Sequence, residues 1–213
     1  MNIRRHAASL ACLPLVSFAA FATGQADVAD PGDSGIAVDS DLSLPSVQQS
    51  FQTFGTAETS YWGITGGVGF ALEDDDDSTD PSLGLTYHYF LIDNFEIIGE
   101  LNAWYFAQDG DDAGGLNPGF TMRWHFLNRG RFTLYADAGI GVLVSTDDVP
   151  RGGSSFNFMP RAGAGASFKI NDRGVRGYLG ARWHHVSNAR ITGDDRNPDR
   201  DGVAIYGGVM FPF

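Results

Sequence analysis

The alternation of side chains over Tyr178–Phe213 constrains this chain more than any other stretch. Successive side chains of a β-strand point to opposite faces. Through the first segment, Val175, Gly177, Leu179, Ala181 and Trp183 share one face, while Arg176, Tyr178, Gly180, Arg182 and His184 share the other. In the second, Val203, Ile205, Gly207, Val209, Phe211 and Phe213 again have odd parity. One apolar face backed by a charged one suits a barrel wall, with lipid outside and a polar lumen within. His185 and Ser187 continue the apolar face of the first strand, and Asp201 opens that of the second. A base, a hydroxyl and a carboxylate therefore share one outer surface of two paired strands.

The same period recurs upstream from Ser60. Expected strands run over 60–72, 83–90, 95–107, 116–126, 131–144 and 156–170, and two more follow to the terminus. Ile97, Leu101, Ala103 and Tyr105 then face out, as do Phe120, Met122, Trp124 and Phe126. Glu96, Glu100, Arg123, Asp137, Arg161, Arg176, Arg182 and His184 face in, and both signs are present, as buried charges require. The connections alternate long and short: 73–82, 108–115, 145–155 and the loop before Asp201 are long, whereas turns at 92–94, 128–130 and 171–174 are short. That asymmetry is the habit of outer-membrane barrels, with loops outside the cell and turns in the periplasm. The fold expected is all-β, an eight-stranded antiparallel transmembrane β-barrel over 59–213 whose interior is filled by side chains.

The remainder of the chain agrees with export. Met1–His6 is basic and Ala7–Phe21 is apolar, so residues 1–22 read as a cleavable signal peptide, with an alternative end at 26. No downstream run is long enough for a transmembrane helix. Residues 27–58 form an acidic, aperiodic segment read as flexible, either a periplasmic extension or a piece packed on the barrel. The formal charge of −12 argues against nucleic acid as a partner. The single cysteine, Cys12, lies in the leader, so no internal disulfide forms. Glycine at 28 residues and aromatics at 13% match closely packed strands with interfacial girdles. No metal-ligand spacing is present, so neither a metal nor a cofactor is expected; His88, His125 and His184 belong to the lumen, and Asp74–Asp77 to a solvated loop.

Residues i and i+2 of a strand lie roughly 7 Å apart, a gap an imidazole can lean across to reach a hydroxyl. His185 could thus act as general base toward Ser187, with a carboxylate on the neighbouring strand orienting the ring. Asp201 and Asp199 both have suitable parity, Asp199 lying deeper in the loop. Polar residues at a barrel rim are the plainer reading of the same pattern. His185-Val-Ser-Asn-Ala189, the downstream Asn197-Pro198, an acid soon after and a final strand ending on an aromatic together resemble the lipid A 3-O-deacylase (PagL-like) family. The resemblance implies an outer-membrane serine esterase that hydrolyses the 3-O-linked acyl chain of lipid A, remodelling lipopolysaccharide. It further implies Ser187 as nucleophile, His185 as base, Asp201 as acid and Asn188 at the oxyanion hole. The family acid is often Glu, one methylene longer than Asp201, and Asp199 stands where a glycine usually follows Asn-Pro. Asn188 has lumen parity. A non-catalytic barrel serving as adhesin or envelope scaffold, and a lipid A acyltransferase, are the alternatives. Lipid A and the surrounding outer-membrane lipid are the partners expected.

Overall fold

The computed structural model describes residues 53–72, 79–108, 110–191, 193 and 196–213. The expected leader, most of the acidic segment and the Asp74–Asp77 run lie outside the described residues. Eight strands follow in order: β1 (Ser60–Ala71), β2 (Thr79–Ile92), β3 (Phe95–Phe106), β4 (Ala113–Asn128), β5 (Phe132–Val149), β6 (Ser154–Lys169), β7 (Arg176–Val186) and β8 (Arg200–Pro212). Each pairs antiparallel with the next, and β1 pairs with β8 to close the barrel. Closure leaves no unpaired edge, the condition for a sheet to sit in hydrocarbon.

Parity sorts the two faces as the sequence implies. Trp62, Leu85, Leu101, Phe120, Trp124, Leu179 and Ile205 are exposed on the outside. Glu96, Glu100, Arg123, Asp137, Arg161, Arg176, Arg182 and His184 are all buried inside. Most of the interior charges are paired, and Arg176 instead donates to the Gly130 carbonyl at 2.7 Å and the Ser167 hydroxyl at 3.2 Å. Glu96 meets Arg123 at 3.4 Å, His88 at 2.9 Å and His125 at 3.1 Å. Asp137 meets Arg123 at 3.2 Å and Arg182 at 3.1 Å, and Glu100 meets Arg161 and Arg182, each at 3.3 Å. Tyr206 donates to Asp137 at 2.8 Å and its hydroxyl lies 2.9 Å from that of Tyr135. These rings lie across inward-facing glycines: a Cβ on Gly165 would meet the Tyr135 hydroxyl, and one on Gly180 would meet that of Tyr206. Gly208 leaves the same room for Tyr178. Glycine content is thus the complement of an aromatic, hydrogen-bonded filling.

Several elements depart from the expected boundaries: β2 starts at Thr79 where 83 was expected, and β4 at Ala113 where 116 was expected. The loop expected over 145–155 is mostly strand: β5 runs to Val149 and β6 starts at Ser154, leaving only 150–153 as the connection. Residues beyond the apolar band still pair, but water on both faces removes the hydrophobic alternation that would reveal them. The first strand of the C-terminal pair, expected to carry both His185 and Ser187, ends at Val186.

The boundary drawn at 58 falls inside an ordered cap at the short-turn end. Phe54 is buried, its ring 5.2 Å from those of Phe90 and His125 and 5.6 Å from that of Tyr61. The Arg176 guanidinium sits 3.8 Å over it. Asn128 donates to the Phe54 carbonyl at 2.9 Å, Asn94 N–H to the Gly55 carbonyl at 2.7 Å, and Ala57 N–H to Asp93 at 2.9 Å. Gly55 has φ of 90°, a left-handed turn that glycine adopts without strain.

Candidate active site

Strand register brings the candidate residues together. His185 lies opposite Asp201 in the β7–β8 pair. Directly opposed side chains on one face approach within about 5 Å at Cβ. Ser187 falls just beyond β7, yet its backbone is fixed by an isolated bridge to Phe158 of β6: Phe158 N–H donates to the Ser187 carbonyl at 2.8 Å, and Ser187 N–H to that of Phe158 at 3.2 Å. Parity is therefore kept past the strand end, and Ser187 remains on the face of His185.

The side chains form a continuous hydrogen-bonded chain. His185 Nδ1 is 3.0 Å from Asp201 Oδ1, and His185 Nε2 is 3.1 Å from Ser187 Oγ. A carboxylate only accepts, so Nδ1 carries the proton and Nε2 is left to accept from the serine hydroxyl. The chain is open to the outer surface: the His185 side chain is 23% exposed and that of Asp201 46%. Trp183, two residues before His185 on the same face, stacks on the imidazole with centroids 6.1 Å apart and planes 25° off parallel. Its indole N–H donates to Asp201 Oδ1 at 3.0 Å. Asp199, the other acid considered, is exposed in the loop, and Asp201 is the one at His185.

The side chain of Asn188 corrects an expectation. It is buried on the lumen side, as its parity requires, and does not share the face of Ser187. Its Nδ2 lies 3.2 Å from Ser154 Oγ and also donates to the Arg196 carbonyl, while its Oδ1 accepts from Arg190 N–H at 2.9 Å. Asn197 Oδ1 accepts from Asn188 N–H at 2.9 Å. The two asparagines pin a turn in which Ala189 and Arg190 both have positive φ, 51° and 63°. Side-chain bonds of this kind hold non-glycine residues in left-handed geometry that costs energy elsewhere.

Around the chain lies an apolar wall. Leu179, Trp183 and Ile205 are exposed on β7 and β8, as expected. Phe156 and Phe158 of β6 add to it, with rings 5.7 Å apart edge to face, and Phe158 sits directly against Ser187. Sequence reasoning missed Phe158, because the pairing of β6 with residues beyond the end of β7 depends on register.

A closed eight-stranded antiparallel barrel with an apolar outside and a charged filling defines a class, the small outer-membrane β-barrels. A profile of the lipid A 3-O-deacylase (PagL) family matches residues 82–206, and the chain belongs to that family. The solved structure of the outer membrane enzyme PagL superposes with a TM-score of 0.51 at 22% identity, covering 68% of this chain and 97% of that one. Neisserial surface protein A (NspA) superposes with a TM-score of 0.54 at 14% identity, covering 72% and 97%. These likenesses are of fold. Curated protein sequences give no match.

Proposed function

We propose that this protein is a serine esterase of the outer membrane that hydrolyses the 3-O-linked acyl chain of lipid A. Family membership supports the substrate class. The observation that carries the reaction type is the chain Asp201–His185–Ser187, with both imidazole nitrogens engaged at 3.0 and 3.1 Å. Fold alone would not carry it, since one barrel architecture hosts unrelated roles.

In this reading Ser187 Oγ attacks the ester carbonyl carbon while its proton passes to His185 Nε2. Asp201 keeps the proton on Nδ1 and stabilises the imidazolium that forms. Collapse of the tetrahedral intermediate breaks the bond to the sugar oxygen, which takes the proton from His185. Water then attacks the acyl-enzyme, giving its proton to Nε2, and a fatty acid leaves as the serine is re-protonated. Asn188 acts indirectly. With Asn197 it fixes the left-handed turn two residues after the nucleophile, the two side-chain oxygens accepting from Asn188 N–H and Arg190 N–H. Acyl chains lie along Leu179, Trp183, Ile205 and Phe158, so the membrane itself holds the ester at the serine and replaces a binding cleft.

The test is mass spectrometry of lipid A from cells expressing the wild type or Ser187→Ala at equal folded levels. The wild type should give lipid A lighter by one acyl chain, with free fatty acid as co-product, and the variant should leave lipid A intact. Equal deacylation by both would remove the serine mechanism. An acyl chain recovered on another lipid instead of as free acid would make the protein an acyltransferase.

A further inference from the structure

Trp183 belongs to the apolar wall by sequence, yet its placement is that of a group serving the acid. Trp183 lies opposite Val203, and His185 lies opposite Asp201, so Trp183 and Asp201 are diagonal neighbours on the outer face. Diagonal pairs are about 7–8 Å apart, a distance only long or aromatic side chains span. The indole spans it and donates Nε1–H to Asp201 Oδ1 at 3.0 Å, the oxygen that also accepts from His185. The same ring stacks on the imidazole. One side chain thus bounds both the carboxylate and the base.

The chemistry of the location favours this residue type. Asp201 is half-exposed at the end of an apolar wall that continues through Val203 and Ile205 on its own strand and Trp183 and Leu179 on β7. Arginine or lysine could also reach the carboxylate, but each would add a charge to a surface facing lipid. Indole supplies a neutral donor on an apolar body, the combination suited to a membrane interface. An aspartate also has a short stem, so its carboxylate must be held where the imidazole can use it.

We infer that Trp183 is a positioning residue of the site, holding the Asp201 carboxylate by its indole N–H and the His185 ring by stacking, and that it acts on the chemical step through Asp201. This rests on the serine-esterase reading above. Trp183→Phe keeps the ring and the apolar area but removes the N–H. In the purified full-length protein acting on lipid A in detergent, kcat should fall on the order of tenfold, the size of one hydrogen bond to a charged group, with KM within about twofold. In an Asp201→Asn background the same change should cost little more, because its route of action is already lost. A raised KM with kcat unchanged, or an equal loss in both backgrounds, would show that the ring only packs acyl chains and would overturn the inference. Ultraviolet resonance Raman provides a readout independent of turnover. Read in a protein whose Trp62, Trp104 and Trp124 are replaced by phenylalanine, the Trp183 indole should be hydrogen-bonded and become free on adding Asp201→Ala; a free indole in the parent would overturn the inference even if Trp183→Phe folds poorly. Full activity of Ser187→Ala and Asp201→Asn alongside a hydrogen-bonded Trp183 signal would instead sink the serine-esterase reading, and the catalytic role of Trp183 with it.

Discussion

Asp137→Asn tests whether the barrel is held from within by charge balance. The side chain of Asp137 is fully buried. Its Oδ2 accepts from Arg123 Nε at 3.2 Å, Arg182 NH2 at 3.1 Å and the Tyr206 hydroxyl at 2.8 Å, while Oδ1 accepts from Arg182 Nε at 3.1 Å. Asparagine has nearly the same shape, so packing is kept. It can still accept at one oxygen, but its amide turns two N–H groups toward guanidinium donors and removes one negative charge. Glu96 and Glu100 remain for three arginines, Arg123, Arg161 and Arg182. Leaving a buried charge unpaired costs about 3–5 kcal/mol. With a urea slope of roughly 2 kcal/mol per molar, the unfolding midpoint should fall by about 2 M. The assay is urea titration of the barrel folded in phospholipid vesicles, followed by tryptophan fluorescence and by the loss of heat-modifiable gel mobility. Arg182→Met should also destabilise on its own, since it frees Asp137 and Glu100 from one partner. Combined with Asp137→Asn it removes the excess positive charge, so the double variant should be more stable than the sum of the singles predicts. An unchanged midpoint for Asp137→Asn, or strictly additive losses, would refute the view that this network is balanced as a unit.

The site and the cap give further expectations. Asp201→Asn should lose most lipid A deacylation while Asp199→Asn keeps it, scored by lipid A mass spectrometry; the reverse pattern would mean that the acid comes from the loop. His185→Ala and Ser187→Ala should each lower kcat on the order of a thousandfold or more, and the double variant little further, since groups acting as one unit are not additive. Phe54→Ala should cost about 3 kcal/mol in the same urea titration, because it empties the space beneath Arg176 and between Phe90 and Tyr61, while leaving deacylation by the folded protein intact.

Most of the barrel could be read from the residues because period two survives wherever lipid wets one side. Glu96, Glu100, Arg123 and Asp137 were assigned to the interior from parity alone, and all four are buried. The signal fails where the solvent is the same on both faces, as in the β5–β6 hairpin beyond Val144, whose strands continue to Val149 and from Ser154. It also fails for the cap: Phe54 is one aromatic in a polar stretch, and no spacing announces that Asn128 will bind its carbonyl and Asn94 that of Gly55. At the site, the face shared by His185, Ser187 and Asp201 was legible from counting residues. The roles of Trp183 and Phe158 were not, because both depend on which residue of one strand stands across from which residue of the next. For Asn188, counting placed it inside, whereas the resemblance had placed it at the oxyanion.

The filled interior bears on the cell as a whole. An outer membrane is a permeability barrier, and each porin-sized opening inserted into it trades some exclusion for uptake. Here arginine, tyrosine and carboxylate side chains occupy the bore and Phe54 stops one end, so a copy of this protein should pass no ionic current in a planar bilayer. A cell can therefore place many copies in its surface without becoming more permeable to small toxic solutes.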